Sequence, residues 1–155
     1  MTLERIYVDT SAIYALLDRA DKYHEPARAI WPSLLDEGIV LVTSNYTVSE
    51  TMTVLQYRIG FDAAKLWCRD VLRVIDVFWV DEAIHRQAHA VWLNLGHRRF
   101  SLADCVSFVT MHQKHIETVF GFKASYIEQG FKLLPSSCGP NYRLPGLIGL
   151  TDRIA

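Results

Sequence analysis

Short apolar runs alternate along this chain with segments whose apolar residues recur every three or four positions. Ile6-Tyr7-Val8, Ile39-Val40-Leu41-Val42, residues 74–79, residues 118–122 and Phe131-Lys132-Leu133-Leu134 each read as a strand. The run from Ile39 shows no polar alternation, the pattern of a strand covered on both faces. Residues 11–18, 47–58, 62–72, 81–93 and 101–115 carry helical spacing, with Leu66 and Trp67 predicted to point inward. Another helix is predicted from Asp21 to about Glu37, where Pro26 fits the first turn and Pro32 should kink or split the helix. Strand and helix alternate throughout, which predicts an α/β fold around a parallel sheet.

The 155 residues suit one domain with a substantial core. We place that domain at residues 1–135, followed by an irregular tail at 136–155 that begins Ser136-Ser137-Cys138-Gly139-Pro140. Half the residues are hydrophobic, which argues against disorder. The net charge of −1 provides no global field for nucleic acid, so any such binding needs a local basic patch. Cys68, Cys105 and Cys138 form no Cys-x-x-Cys pair, which disfavours a zinc cage and suggests a reducing compartment. Neither a signal peptide nor a membrane-spanning run is legible, so the expectation is a soluble, cytoplasmic protein without membrane attachment.

Three acids stand at element boundaries. Asp9 ends the first strand in Asp9-Thr10-Ser11-Ala12, Glu50 lies in Thr47-Val48-Ser49-Glu50, and Asp104 lies in Ser101-Leu102-Ala103-Asp104. Each has a structural explanation, since Asp9 can cap the helix that follows and the other two fit capping boxes. In a parallel sheet, however, such boundaries can converge on one edge, where open α/β proteins bind ligands. Two carboxylates about 5 Å apart repel by roughly 3 kcal/mol at an effective dielectric of about 20, so three would cost roughly 10 kcal/mol without a compensating cation. Oxygen-only ligands favour Mg²⁺ or Mn²⁺.

These segments resemble the PIN domain, a small metal-dependent ribonuclease fold, and within it the single-domain VapC-type toxins. The resemblance rests on Tyr7-Val8-Asp9-Thr10-Ser11-Ala12, Asp21-x-x-His24, Val48-Ser49-Glu50 and Ser101-Leu102-Ala103-Asp104-Cys105, and it runs from about Glu4 to Pro135. It implies a three-layer α/β/α sandwich around a five-stranded parallel sheet. It also implies RNA cleavage, an antitoxin protein as partner, and often a homodimer. Asp9, Glu50 and Asp104 would be the metal-binding acids, with Thr10 or Ser11, and Ser101 at the head of its helix, in support. One position departs from the pattern. The family commonly carries an acid after strand four, in a stretch like Thr-x-Asp-x-x-Phe, whereas this chain has Lys123 in Gly121-Phe122-Lys123-Ala124-Ser125-Tyr126. That puts a second metal site in doubt and gives Lys123 three readings: a balancing charge, a phosphate contact or a solvated lysine.

Arg98 and Arg99 precede the Asp104 helix and are the candidates for holding RNA phosphates, with Phe100 stacking or packing beside them. His85 with His89, and His112 with His115, have helical spacing but lack the context of a His-Glu-x-x-His site, so packing or solvated histidines are expected. Trp31, Trp67, Trp79 and Trp92 are assigned mostly to the core. Tyr46, Tyr57 and Phe61 mark a candidate surface for an antitoxin segment or a second copy. The alternative to a nuclease is a catalytically weak or inactive PIN-like module that binds RNA or protein, and Lys123 is the residue that favours it.

Overall fold

The computed structural model describes residues 3–96 and 99–136. Five strands form one wholly parallel sheet: β1 (Glu4–Val8), β2 (Ile39–Ser44), β3 (Asp76–Phe78), β4 (Thr118–Phe120) and β5 (Lys132–Leu134), in the order β3-β2-β1-β4-β5. Seven α-helices connect or flank them among the described residues: α1 (Thr10–Leu17), α2 (His24–Leu34), α3 (Asn45–Arg58), α4 (Phe61–Leu66), α5 (Glu82–Leu95), α6 (Leu102–Gln113) and α7 (Ala124–Glu128). None is long and apolar enough to cross a membrane.

The alternation within the strands builds the three layers. Ile6 and Val8 of β1, Leu41 of β2 and Phe120 of β4 pack with α1, α2, α3 and α4 in one apolar cluster. Their chain neighbours Tyr7, Val42 and Val119 join α5, α6 and Tyr126 of α7 in the other. Successive strand residues point to opposite faces, so a central strand buried on both sides must be apolar at every position. That is why the unbroken run in β2 was readable as a covered strand.

Several local expectations are corrected. Pro32 does not split α2: the helix continues to Leu34, although the proline has no N–H to give to the Arg28 carbonyl. Helix α3 begins at Asn45 rather than Thr47, capped by Ser44, whose side chain accepts from the Thr47 amide at 3.3 Å. The predicted helix at 62–72 is α4 followed by a π-helical turn, Trp67–Val71, and a 3-10 turn, Leu72–Val74. Trp67 is buried as expected, but Leu66 is exposed. The core assignment also fails for Trp79, which is 80% exposed, and for Trp92. Helix α7 had no signal in the sequence, since five residues are too few to show a period. The tail beyond Ser136 lies outside the described residues.

Candidate active site

The strand order reverses beside β1. Chain and sheet run β1-β2-β3 in one direction, and β4 then returns to the other side of β1. Such a reversal opens a crevice at the carboxyl ends of the two central strands. Asp9 follows β1 there, and its amide donates to the carbonyl of Phe120, the last residue of β4, at 3.0 Å.

Asp9 is 2% exposed and its carboxylate is held at both oxygens. Oδ2 accepts from the Ser11 amide at 3.0 Å and from the Ser11 hydroxyl at 2.5 Å, while Oδ1 accepts from the Tyr126 hydroxyl at 2.6 Å. Asp9 therefore does cap α1. Capping uses one oxygen; Oδ1 keeps a further lone pair for a ligand. The Ser11 hydroxyl in turn accepts from the Phe122 amide at 2.9 Å, which ties the β4–α7 connection to the acid. Gly121 permits this approach. A Cβ at that position would stand 3.1 Å from Asp9 Cβ and 3.2 Å from Ser11 Oγ.

Asp104 is supplied from the opposite layer by the first turn of α6. Its capping box with Ser101 is complete: Ser101 Oγ accepts from the Asp104 amide at 3.0 Å, and Asp104 Oδ2 accepts from the Ser101 amide at 2.9 Å. The other oxygen, Oδ1, accepts from Lys123 Nζ. The Lys123 and Asp104 side chains are 14% and 4% exposed, so this ion pair is nearly dry.

The early start of α3 changes the reading of Glu50. The cap is Ser44, so Thr47-x-x-Glu50 is no capping box and Glu50 lies a full turn into the helix. Its carboxyl pKa is pushed up to about 7, first by burial, with Asp104 and Asp9 raising it further against the opposing charge of Lys123. Burial works against the charge on Lys123 too, but Asp104, Asp9 and Glu50 more than offset it, and its pKa lies above the ordinary lysine value. Those mutual effects put Asp9, Glu50, Asp104 and Lys123 in one electrostatic unit.

Other expected residues are placed as follows. Thr10 meets Thr51 of α3, with hydroxyl oxygens 2.9 Å apart, and its side chain also hydrogen-bonds the Glu50 carboxyl. Arg99 is exposed and paired with Glu128 at 3.5 Å, while Arg98 falls outside the described residues. Phe100 is buried edge-on against Phe108, so it packs. His24 anchors α2 to α1 through the Ala15 carbonyl at 2.9 Å, and His112 packs against Phe131 with the rings tilted by 39°. Tyr126 was not foreseen as a site residue. It sits on the unforeseen helix α7, fully buried, and its phenol pKa is raised well above normal by burial first and then by Asp9. No spacing in the sequence links it to Asp9. Cys105, next to Asp104, is buried with its thiol pushed up to about 11 by burial and then by Asp104, which argues against a nucleophilic role.

The PIN domain family model matches residues 6–122. The chain belongs to the PIN domain family. It is also 32% identical over 127 residues to the 23S rRNA-specific endonuclease VapC20 of Mycobacterium tuberculosis, covering 81% of this chain and 95% of that protein. The crystal structure of that Mycobacterium tuberculosis protein, described as a sarcin-ricin loop cleaving toxin, superposes with a TM-score of 0.73 at 31% identity, again over 81% and 95% of the two chains. More distant relatives share the fold alone. A VapBC2 complex from Rickettsia felis gives a TM-score of 0.62 at 7% identity over 83% and 96% of the chains. FitAcB from Neisseria gonorrhoeae gives 0.59 at 21% identity over 83% and 95%.

PIN-domain chemistry implies a divalent metal, and the donors here can be tested against it. Asp9, Glu50 and Asp104 offer hard carboxylate oxygens, as Mg²⁺ or Mn²⁺ requires. Among the described residues, no three metal-ligating side chains are already gathered closely enough to hold an ion. The Lys123 ammonium, bonded to Asp104 and felt by the other two acids, supplies the positive charge instead. The donor chemistry thus fits one hard cation, with Lys123 as its stand-in.

Proposed function

We propose that this protein is a metal-dependent endoribonuclease, the toxin of a toxin–antitoxin pair, and that Asp9, Glu50 and Asp104 hold Mg²⁺ or Mn²⁺. The observation that carries the reading is the convergence of three acids from β1, α3 and α6 into one electrostatic unit at the switch point of a PIN sheet. The identity to a curated rRNA endonuclease supports RNA as substrate, with ribosomal RNA the first to try. The VapBC2 complex among the structural relatives supports an antitoxin partner.

When bound, the metal supplies Lewis acidity toward the phosphoryl oxygens and lowers the pKa of attacking water. The chain's own groups do the rest. Asp9 is oriented by Ser11 and Tyr126, and Asp104 by Ser101, so both carboxylates are fixed before any ligand arrives. Glu50, the third acid of the cluster, would hold the metal directly or hold the attacking water and accept its proton as that water adds to phosphorus. The bond to the departing sugar oxygen then breaks, and that oxygen takes a proton from solvent. Arg99 can exchange its exposed partner Glu128 for a backbone phosphate, because such surface pairs contribute little.

The test is cleavage of structured RNA with Mg²⁺ or Mn²⁺, using the wild type, Asp9→Asn and Asp104→Asn. Each variant should lose activity by on the order of 100-fold, as when one charge-stabilising group is removed, and EDTA should abolish the wild-type reaction. Wild-type rates in both variants would overturn the assignment.

A further inference from the structure

Lys123 stands where the resemblance leads one to expect an acid, and the fold gives it a definite task. It is the N-cap residue of α7, yet it makes no side-chain capping bond there. Lysine is a poor choice for that position, since the start of a helix favours negative charge. The side chain turns instead to Asp104, in a contact almost closed to water. The Lys123 backbone is held in place from the β4 side, where the Phe122 amide donates to Ser11 and the Gly121 amide to the Leu134 carbonyl. The ammonium is thus delivered to the acids by the same connection that braces Asp9.

An ammonium and a divalent ion cannot easily share this pocket. A single and a double positive charge held a few ångströms apart in a nearly dry pocket repel each other strongly. Both would also draw on the remaining oxygen of Asp104, since Oδ2 is occupied by the Ser101 amide. The lysine stem, in contrast, is a flexible four-carbon chain that can carry the ammonium to another position.

We propose that Lys123 is a resident counter-cation, which satisfies the acids in the metal-free protein and competes with a divalent ion for Asp104. The inference rests on the reading that Asp9, Glu50 and Asp104 are the metal-holding acids. It makes Lys123 a positioning residue that tunes metal occupancy and keeps the metal-free fold intact.

The experiment is Mn²⁺ titration followed by electron paramagnetic resonance of the free ion, with thermal melts in parallel and no RNA present. Wild type, Lys123→Met, Lys123→Arg and Lys123→Asp are compared. Lys123→Met should melt lower than wild type without metal, gain more from Mn²⁺, and bind Mn²⁺ roughly 10–100-fold more tightly, the range in which neighbours of metal ligands act. Lys123→Asp should bind more tightly still, and Lys123→Arg should bind as weakly as wild type. Folding of Lys123→Met only in the presence of Mn²⁺ supports the proposal in the same sense. Equal Mn²⁺ affinity in wild type and Lys123→Met, tight binding by Lys123→Arg, or a Lys123→Met that stays unfolded with Mn²⁺ overturns it. Failure of the underlying nuclease reading would show separately, as full RNA cleavage by Asp104→Asn.

Discussion

Glu50 carries the residue-scale consequence of packing acids together. Its pKa of about 7 in the folded, metal-free protein lies above the 4.5 of a free glutamate. The folded state therefore holds a proton that the unfolded chain has released over that window. The resulting contribution to stability is fully present below about 4.5 and is lost as pH rises through about 7. Metal-free wild type should accordingly lose melting temperature between pH 5 and pH 8 relative to Glu50→Gln, which cannot ionise. Parallel melting curves for the two proteins across that range would contradict the raised pKa. The sequence marked Glu50 as a candidate, but offered a capping box as an equal explanation. The tertiary structure removes that explanation by starting α3 at Ser44-Asn45, where Asn45 Oδ1 also receives the Val80 amide at 2.8 Å.

At the scale of elements, the site depends on how closely the β4–α7 connection approaches the head of α1. Gly121 sets that distance. Adding a methyl group would force it to 3.1 Å from Asp9 Cβ and 3.2 Å from Ser11 Oγ, and both are anchored by short hydrogen bonds. Gly121→Ala should cost about 1–3 kcal/mol in urea unfolding, the range for overpacking a tight interior, and should weaken RNA cleavage by displacing Asp9. Unchanged stability would show that the connection yields freely. The longer elements were legible beforehand: α5, expected over 81–93, begins at its Asp81 cap and runs two residues further, to Leu95, where Gly96 takes a left-handed φ of 55°. Helix α7 was not legible, and with it went Tyr126, whose hydroxyl completes the shell around Asp9.

For the whole molecule, charge distribution matters more than charge. A net charge of −1 leaves RNA affinity to a few local cations. Arg98 and Arg99 precede α6, and Arg99 lies on the surface beside Glu128 at the end of α7. If each contacts one phosphate, Arg98→Ala with Arg99→Ala should weaken RNA binding and reduce the slope of log affinity against log salt by about 0.7 per contact. An unaltered slope in filter binding would remove both from the interface.

Alternation of strand and helix, the doubly covered β2, and acids at strand and helix ends are local patterns, so the linear chain was enough to establish the α/β class and to mark Asp9, Glu50 and Asp104. Which role each acid plays depends on neighbours far along the chain. Tyr126 lies 117 positions from Asp9, and Lys123 lies 19 from Asp104. Burial likewise separated Trp67 from Trp79, two similar residues in similar apolar settings. Hydrogen bonding and desolvation act through space, and the order of strands brings these partners together.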